Sequence, residues 1–450
     1  MTQDAERRRI LFVPTNRLSE AAIHWGIVEA ARLADAERIE YVFVLIEQPS
    51  RSEYSLRHAQ QISREAAQLR LPAFHVTSEL WEQYQDLMLA RARPLSDERL
   101  IRSLLDTDRK AYGVAPNKVY LLAAALDVSV IHRRDSDHVP DLLGDSPRFP
   151  GELEAAAIGR TLAQIKLSAA PRSREYRDED VVYLAASSMY GEPPVDRRSL
   201  VSCGIEHLYA LEQVAHPERS YWDVMARVDS YYIEEPHTRY EPDFLSLDMT
   251  GRSEIGVSCM KDTFLSLPEL PMPETLGTDY MVKNSMYQLG RPVIFHSRKM
   301  HHVYDVDRQA PTATSAIDYA MSDLRFLLLR KVLAAHNKAL VADRRAYLLP
   351  NGAVNASAYA SNLRMTLYGV DEIASGLAAR FAAVYRCAGA GPGADAAINR
   401  RIAATAEAMT AEITHQVASG LFEYCVLVDD WRKLVVAAKE TGTFVRDHLV

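Results

Sequence analysis

The sequence predicts a doubly wound α/β fold followed by a mostly helical last third. Three observations carry this. Short apolar runs alternate with helical stretches over residues 1–140, the spacing of a largely parallel sheet. Beyond Pro311 the chain turns rich in Ala and Leu, with little strand signal. Its 450 residues exceed one small core, and 48% hydrophobic with 25% charged residues is an ordinary globular balance.

Each element follows in order. Residues 10–13 are an apolar run stopped by Pro14, a buried strand. Residues 18–33 read as a helix, with Ser19 as N-cap and Ala22, Trp25, Val28 and Leu33 near helical spacing. Residues 41–46 are the clearest strand and end at Glu47. A polar helix over 52–70 leads to a weak strand at 73–76. Helical sequence covers 79–108 and 117–126, and a strand over 128–131 runs into Asp135 and Asp137. Ligands of such sheets bind beyond the carboxyl ends of the strands. Those ends carry Pro14, Thr15, Arg17, Glu47, Asp135 and Asp137. Further strands are expected at 180–185 and 293–296, while 221–248 has no clear period. Ile398, Ile402, Ala406, Met409, Ile413, Val417 and Leu421 step by three or four, which predicts one amphipathic helix. A boundary near 310 divides the chain.

Composition excludes several classes. Sixty acidic against 52 basic residues give a net charge of −8, whereas duplex binding favours a basic excess. Cys203, Cys259, Cys387 and Cys425 form no close pair, as expected of buried thiols in a reducing, cytoplasmic compartment. The N-terminus does not read as a signal peptide, and no apolar run is long enough to span a bilayer. Phosphate-loop, zinc-protease and nucleophile-elbow motifs are missing. Gly389, Gly391 and Ala394 fit a loose dinucleotide pattern, but Pro392 and the helical context read as a linker.

Paired carboxylates two residues apart can hold a hard divalent cation and leave room for diphosphate oxygens. Four such pairs occur: Asp106/Asp108, Asp135/Asp137, Asp178/Asp180 and Asp305/Asp307. Asp106/Asp108 lies in a polar helical stretch and Asp178/Asp180 in a charged run. Asp135/Asp137 alone follows both a helix and an apolar strand at the mouth of the sheet.

The stretch from Gly113 through Asn117 to Asp137 resembles nucleotide-sugar glycosyltransferases of the A-type fold. There a small-residue segment with an Asn opens a helix, a strand follows, and an Asp-x-Asp motif closes it. Pro14, Thr15 and Arg17 resemble the first-strand loop of these enzymes, and Glu47 their acidic residue after the second strand. Residues 254–259 resemble the acceptor-side glycine segment. Residues 276–290, with Asp279, resemble a later helix, although Thr278 replaces its usual Glu. His301 and His302 lie where many members place a third metal ligand.

The resemblance implies a Rossmann-like mixed sheet over residues 1–310, with a nucleotide half (1–140) and an acceptor half (141–310), before a helical domain at 311–450. It also implies a metal-dependent transferase moving sugar from a nucleoside diphosphate, with a UDP-sugar favoured, to a small-molecule acceptor. Natural-product assembly is one setting. Asp137, Asp135 and His302 would hold Mn²⁺ or Mg²⁺, and imidazole favours Mn²⁺. Pro14, Thr15, Arg17, Glu47, Asn117 and Asp135 would hold the nucleotide. Asp279 would be the general base, with a helix cap as its alternative. No nucleic acid or membrane partner is expected, and self-association is assigned to the helical domain. Two other readings stay open: a nucleotidyltransferase acting on a sugar phosphate, and a non-catalytic helical scaffold.

Overall fold

The computed structural model describes residues 8–48, 52–106, 111–143, 146–168, 176–192, 197–217, 219–232, 242–248, 253–303 and 312–449. Strands β1 (Arg8–Thr15), β2 (Glu40–Glu47), β3 (Ala73–Val76) and β4 (Val130–Arg134) form a parallel half-sheet in the order β3-β2-β1-β4. Strands β5 (His138–Leu143) and β6 (Ser146–Arg148) make a hairpin. Next come β7 (Leu184–Ala186), β8 (Met189–Gly191), β9 (Leu245–Leu247), β10 (Val257–Lys261), β11 (Val293–His296) and β12 (Met300–His302). The main sheet is eight-stranded, ordered β3-β2-β1-β4-β10-β7-β11-β9. Strand β10 runs antiparallel to both β4 and β7, so the sheet is mixed. A second sheet, β6-β5-β12-β8, stands at the carboxyl end of β4.

Continuous apolar runs in β1 and β2 fit strands covered on both faces. Their side chains alternate between two cores. Leu11, Val13, Phe43 and Leu45 meet Ile23, Ile27 and Leu33 of the helix Glu20–Glu37. Ile10, Phe12, Val42 and Val44 face the other way and join a cluster that extends to Leu421, Leu427 and Trp431. Between that face and the C-terminal helices lies the helix Val114–Ala125, buried at every position. Its lack of a polar side is what a helix enclosed all round requires.

The last third is helical, as expected, but it shares its core with the sheet. Trp431 Nε1 donates to Phe264 O (2.9 Å) and Tyr424 Oη to Pro268 O (2.8 Å). Asp430 Oδ2 accepts from Ser96 N at 2.6 Å. The boundary near 310 marks a change of composition rather than of core; it falls at residues 304–311, which with Asp108, Asp305 and Asp307 lie outside the described residues. The expected single helix over 398–421 is two, Ala394–Ala408 and Thr410–Glu440, separated at Met409. Ile402, Ala406, Ile413, Val417 and Leu421 are buried, while Ile398 and Met409 are half-buried. Gly389 caps one helix and Gly393 opens the next, so the glycine-rich stretch is a helix–helix link.

Candidate metal centre

Beyond β4 the chain turns sharply. Asp135 N donates to Gly256 O (3.2 Å) and His138 N to Asp135 O (3.1 Å), which leaves Asp137 projecting from the turn. His138 opens β5 and lies directly across the antiparallel ladder from His302 in β12. Their rings stand edge to face with centroids 5.5 Å apart. Oxygen and nitrogen atoms of Asp137, His138 and His302 all lie within 4.8 Å of one another.

The imidazoles are oriented from behind. His302 Nδ1 is 2.6 Å from Glu192 O, and His138 Nδ1 is 3.3 Å from Gly256 O. A carbonyl can only accept, so each Nδ1 carries the proton and each Nε2 turns forward. Asp137 Oδ2 is 3.4 Å from His302 Nε2, and Oδ1 is 4.0 Å from His138 Nε2. Two acceptors facing at that distance need a positive charge between them, either an added proton or a metal ion. Burial pushes the His138 imidazole down despite Asp135 and Asp137, which keeps Nε2 a free lone pair at neutral pH. Burial would raise the Asp137 carboxyl, but the adjoining His302 and His138 rings and Arg17 hold it well below the usual range. Two imidazole nitrogens and a carboxylate suit a borderline divalent ion better than Mg²⁺.

Two glycines make the geometry. A Cβ on Gly256 would sit 2.3 Å from Asp135 Oδ2 and 2.8 Å from His138 Cε1. One on Gly191 would sit 2.6 Å from His302 O, and φ there is +101°. Neither site admits a side chain without moving the centre.

The expected residues distribute unevenly. Asp137 and His302 come together. Asp135 lies outside that donor group, and its Oδ1 accepts from Arg133 Nε at 2.8 Å. The same guanidinium gives Nη2 to Asp279 Oδ2 at 2.6 Å, which ties Asp279 to the Asp135 end of the site. Asp279 is 4% exposed, and its carboxylate is taken up by Arg133 rather than opened to an acceptor. Burial raises its pKa; Arg133 opposes and Asp135 adds to the rise. His301 stacks on Tyr190, centroids 5.0 Å apart, outside the donor group.

Of the residues expected to hold a nucleotide, Arg17 has Nη1 3.5 Å from Asp137 Oδ2. Thr15 is buried, and its hydroxyl meets Ser19 Oγ at 2.7 Å and Arg17 O at 2.9 Å. Ser19 stands at the expected N-cap position, but its hydroxyl is used there rather than on the helix. Pro14 is half-buried within β1, opposite Ile46. Asn117 departs from its expected role. It is fully buried, with Nδ2 donating to Glu269 O (2.9 Å) and Oδ1 accepting from Glu269 N (2.7 Å). Its amide is closed to a nucleoside because it clamps a passing backbone. Glu47 is also turned inward, 2.8 Å from His58 Nδ1 and 3.2 Å from His75 Nε2. Burial would raise its carboxyl, but hydrogen bonds from His58, His75 and Ser55 bring it down to about 2.

Two further groupings lack the chemistry of a metal site. His58 Nε2 accepts from Ser19 N (3.2 Å), so Nδ1 carries a proton for Glu47. His132 turns opposite nitrogens to Glu154 (2.6 Å) and Cys259 (3.6 Å), while Arg134 Nη2 already supplies positive charge 2.8 Å from Glu154 Oε2. Sequence reasoning missed His138. The signal was the residue after Asp137, which carried no weight without the pairing of β5 with β12.

Among solved structures, the chain is similar to "Mannosyltransferase PcManGT from Pyrobaculum calidifontis in complex with GDP-Man and Mn2+". The identity is 12% and the TM-score 0.35, over 97% of this chain and 86% of that one, a superposition too loose to establish a shared fold. No curated protein matches the sequence. Residues 7–446 match a family of unknown function, DUF6271, and the chain belongs to that family.

Proposed function

We propose that the protein is a metal-dependent glycosyltransferase of the A-type that takes its sugar from a nucleoside diphosphate, a UDP-sugar being favoured, and passes it to a small-molecule acceptor. The observation that carries this reading is the cluster of Asp137, His138 and His302 just beyond the carboxyl end of β4. Strand order supports it. From β1 the chain builds outward to β2 and β3 on one side and reaches β4 on the other, so the crevice between β1 and β4 is the switch point of the parallel half. Arg17 follows β1 and Asp137 follows β4, one on each side of that crevice.

The facing acceptors of Asp137 and His302 and the forward Nε2 of His138 fit a divalent ion. When bound, such an ion offsets the charge gathering on a departing diphosphate as a Lewis acid. The protein's own groups do the rest. Asp137 and the two imidazoles would hold the ion, and the Glu192 and Gly256 carbonyls set the ring orientation. The Thr15 hydroxyl holds the backbone of the β1 loop, from which the Arg17 side chain would reach a bound phosphate. Arg133 spans Asp135 and Asp279, so Asp279 acts here as the residue that positions Arg133 rather than as an open base.

Calorimetry with UDP or GDP and Mn²⁺ tests the reading. The parent should bind diphosphate only with metal, and Asp137→Ala should abolish that dependence while leaving the melting temperature near parental. Equal binding by the variant would remove the metal assignment. A preference for triphosphates would favour nucleotidyl transfer, and binding of neither nucleotide would favour a scaffold.

A further inference from the structure

Arg17 occupies an unusual position for a residue expected to serve a nucleotide. Its Nη1 stands 3.5 Å from Asp137 Oδ2, the oxygen that also faces His302 Nε2 at 3.4 Å. A guanidinium is thus placed beside the oxygen whose charge a metal would neutralise. The Arg17 backbone is pinned: its N–H donates to Thr15 Oγ1 (3.2 Å), and its carbonyl accepts from Thr15 (2.9 Å) and Ser19 (3.2 Å) hydroxyls. Its side chain is about a quarter exposed, and its Nε contact to Asn16 Oδ1 is a long 3.3 Å at the surface. A long stem on a fixed Cα can therefore change partner without moving the loop.

We infer that Arg17 is an internal counter-ion of the metal-free centre, displaced from Asp137 when the divalent ion enters and thereby released to bind the donor's diphosphate. The inference rests on the metal centre proposed above and adds an order to it: metal first, diphosphate second. Two positive groups cannot share one carboxylate oxygen at full strength, because the dication repels the guanidinium that it displaces. The released side chain lies at the mouth of β1, by the N-terminus of the helix Glu20–Glu37, where anions are favoured. Arg17 thus opposes the metal when phosphate is absent and supports binding when it is present. A merely structural residue would not act with opposite sign on two ligands.

Calorimetric titrations with MnCl₂ alone, and with inorganic pyrophosphate in saturating Mn²⁺, separate the two effects without committing to a base. Arg17→Gln should bind Mn²⁺ alone roughly two- to fivefold more tightly, the scale of one partly exposed ion pair removed. It should bind pyrophosphate roughly tenfold or more weakly, the scale of a lost charged hydrogen bond. Arg17→Lys, which keeps the charge, should hold Mn²⁺ affinity near parental and controls for folding. If Arg17→Gln binds Mn²⁺ no more tightly than a metal-binding parent, the counter-ion role falls and the metal centre stands. If neither protein binds Mn²⁺, the centre falls and this inference with it.

Discussion

Glu269 illustrates how much a single buried group sets. It is fully enclosed, with Oε1 accepting from Tyr120 Oη (3.0 Å) and Oε2 from Val282 N (2.9 Å). Burial, opposed by the Val282 hydrogen bond and reinforced by Asp279, lifts its pKa from the ordinary 4.5 to about 8. The folded state therefore holds a proton that the unfolded chain releases above pH 4.5. Its contribution to stability is complete below 4.5, declines as pH rises towards 8, and is gone above that. The slope is about 1.4 kcal/mol per pH unit while the two states differ by a whole proton. Glu269→Gln should remove this slope, so urea denaturation at pH 5.5 and pH 8 should differ less for the variant than for the parent. Equal slopes would mean that Glu269 is ionised in the fold. At this scale the sequence disclosed residue types better than their partners. Asp137 and His302 were legible because carboxylate spacing and a His pair are local patterns. Asn117 and Glu47 were misplaced because a backbone 152 residues away and two imidazoles claim their side chains.

Among elements, periodicity was a reliable guide only where an element was long enough to have a period. The expected strands at 10–13, 41–46, 73–76 and 293–296 lie within β1, β2, β3 and β11. Strands β8, β9 and β12 have three residues each, too few for alternation to register, yet β12 carries His302. The C-terminal stripe was legible as an apolar face, but its interruption at Met409 was not, because both helices keep their apolar sides inward across the break. Ile413 is 2% exposed, in the first turn of Thr410–Glu440 and beside Leu324 and Leu328. Ile413→Asp should cost several kcal/mol, on the order of an unpaired charge in a core, and lower the melting temperature accordingly. An unchanged melting temperature would place that face in solvent.

Across the whole molecule, the helices after residue 311 complete a core begun by β1 and β2. Calorimetric unfolding should show one cooperative transition, with no separate melting of the last third. Two resolved transitions would restore the independent domain that composition suggested. The same arrangement bears on synthesis. The helix Val114–Ala125 covers one face of β1 and β2, and its own outer side is covered by Thr410–Glu440, which carries Trp431. At about 5–20 residues per second, the ribosome needs roughly 15 to 60 s to travel from Arg134 to that tryptophan. Through that interval the nascent chain carries a bare apolar helix face, so a stall late in translation would release an aggregation-prone fragment instead of a smaller working protein.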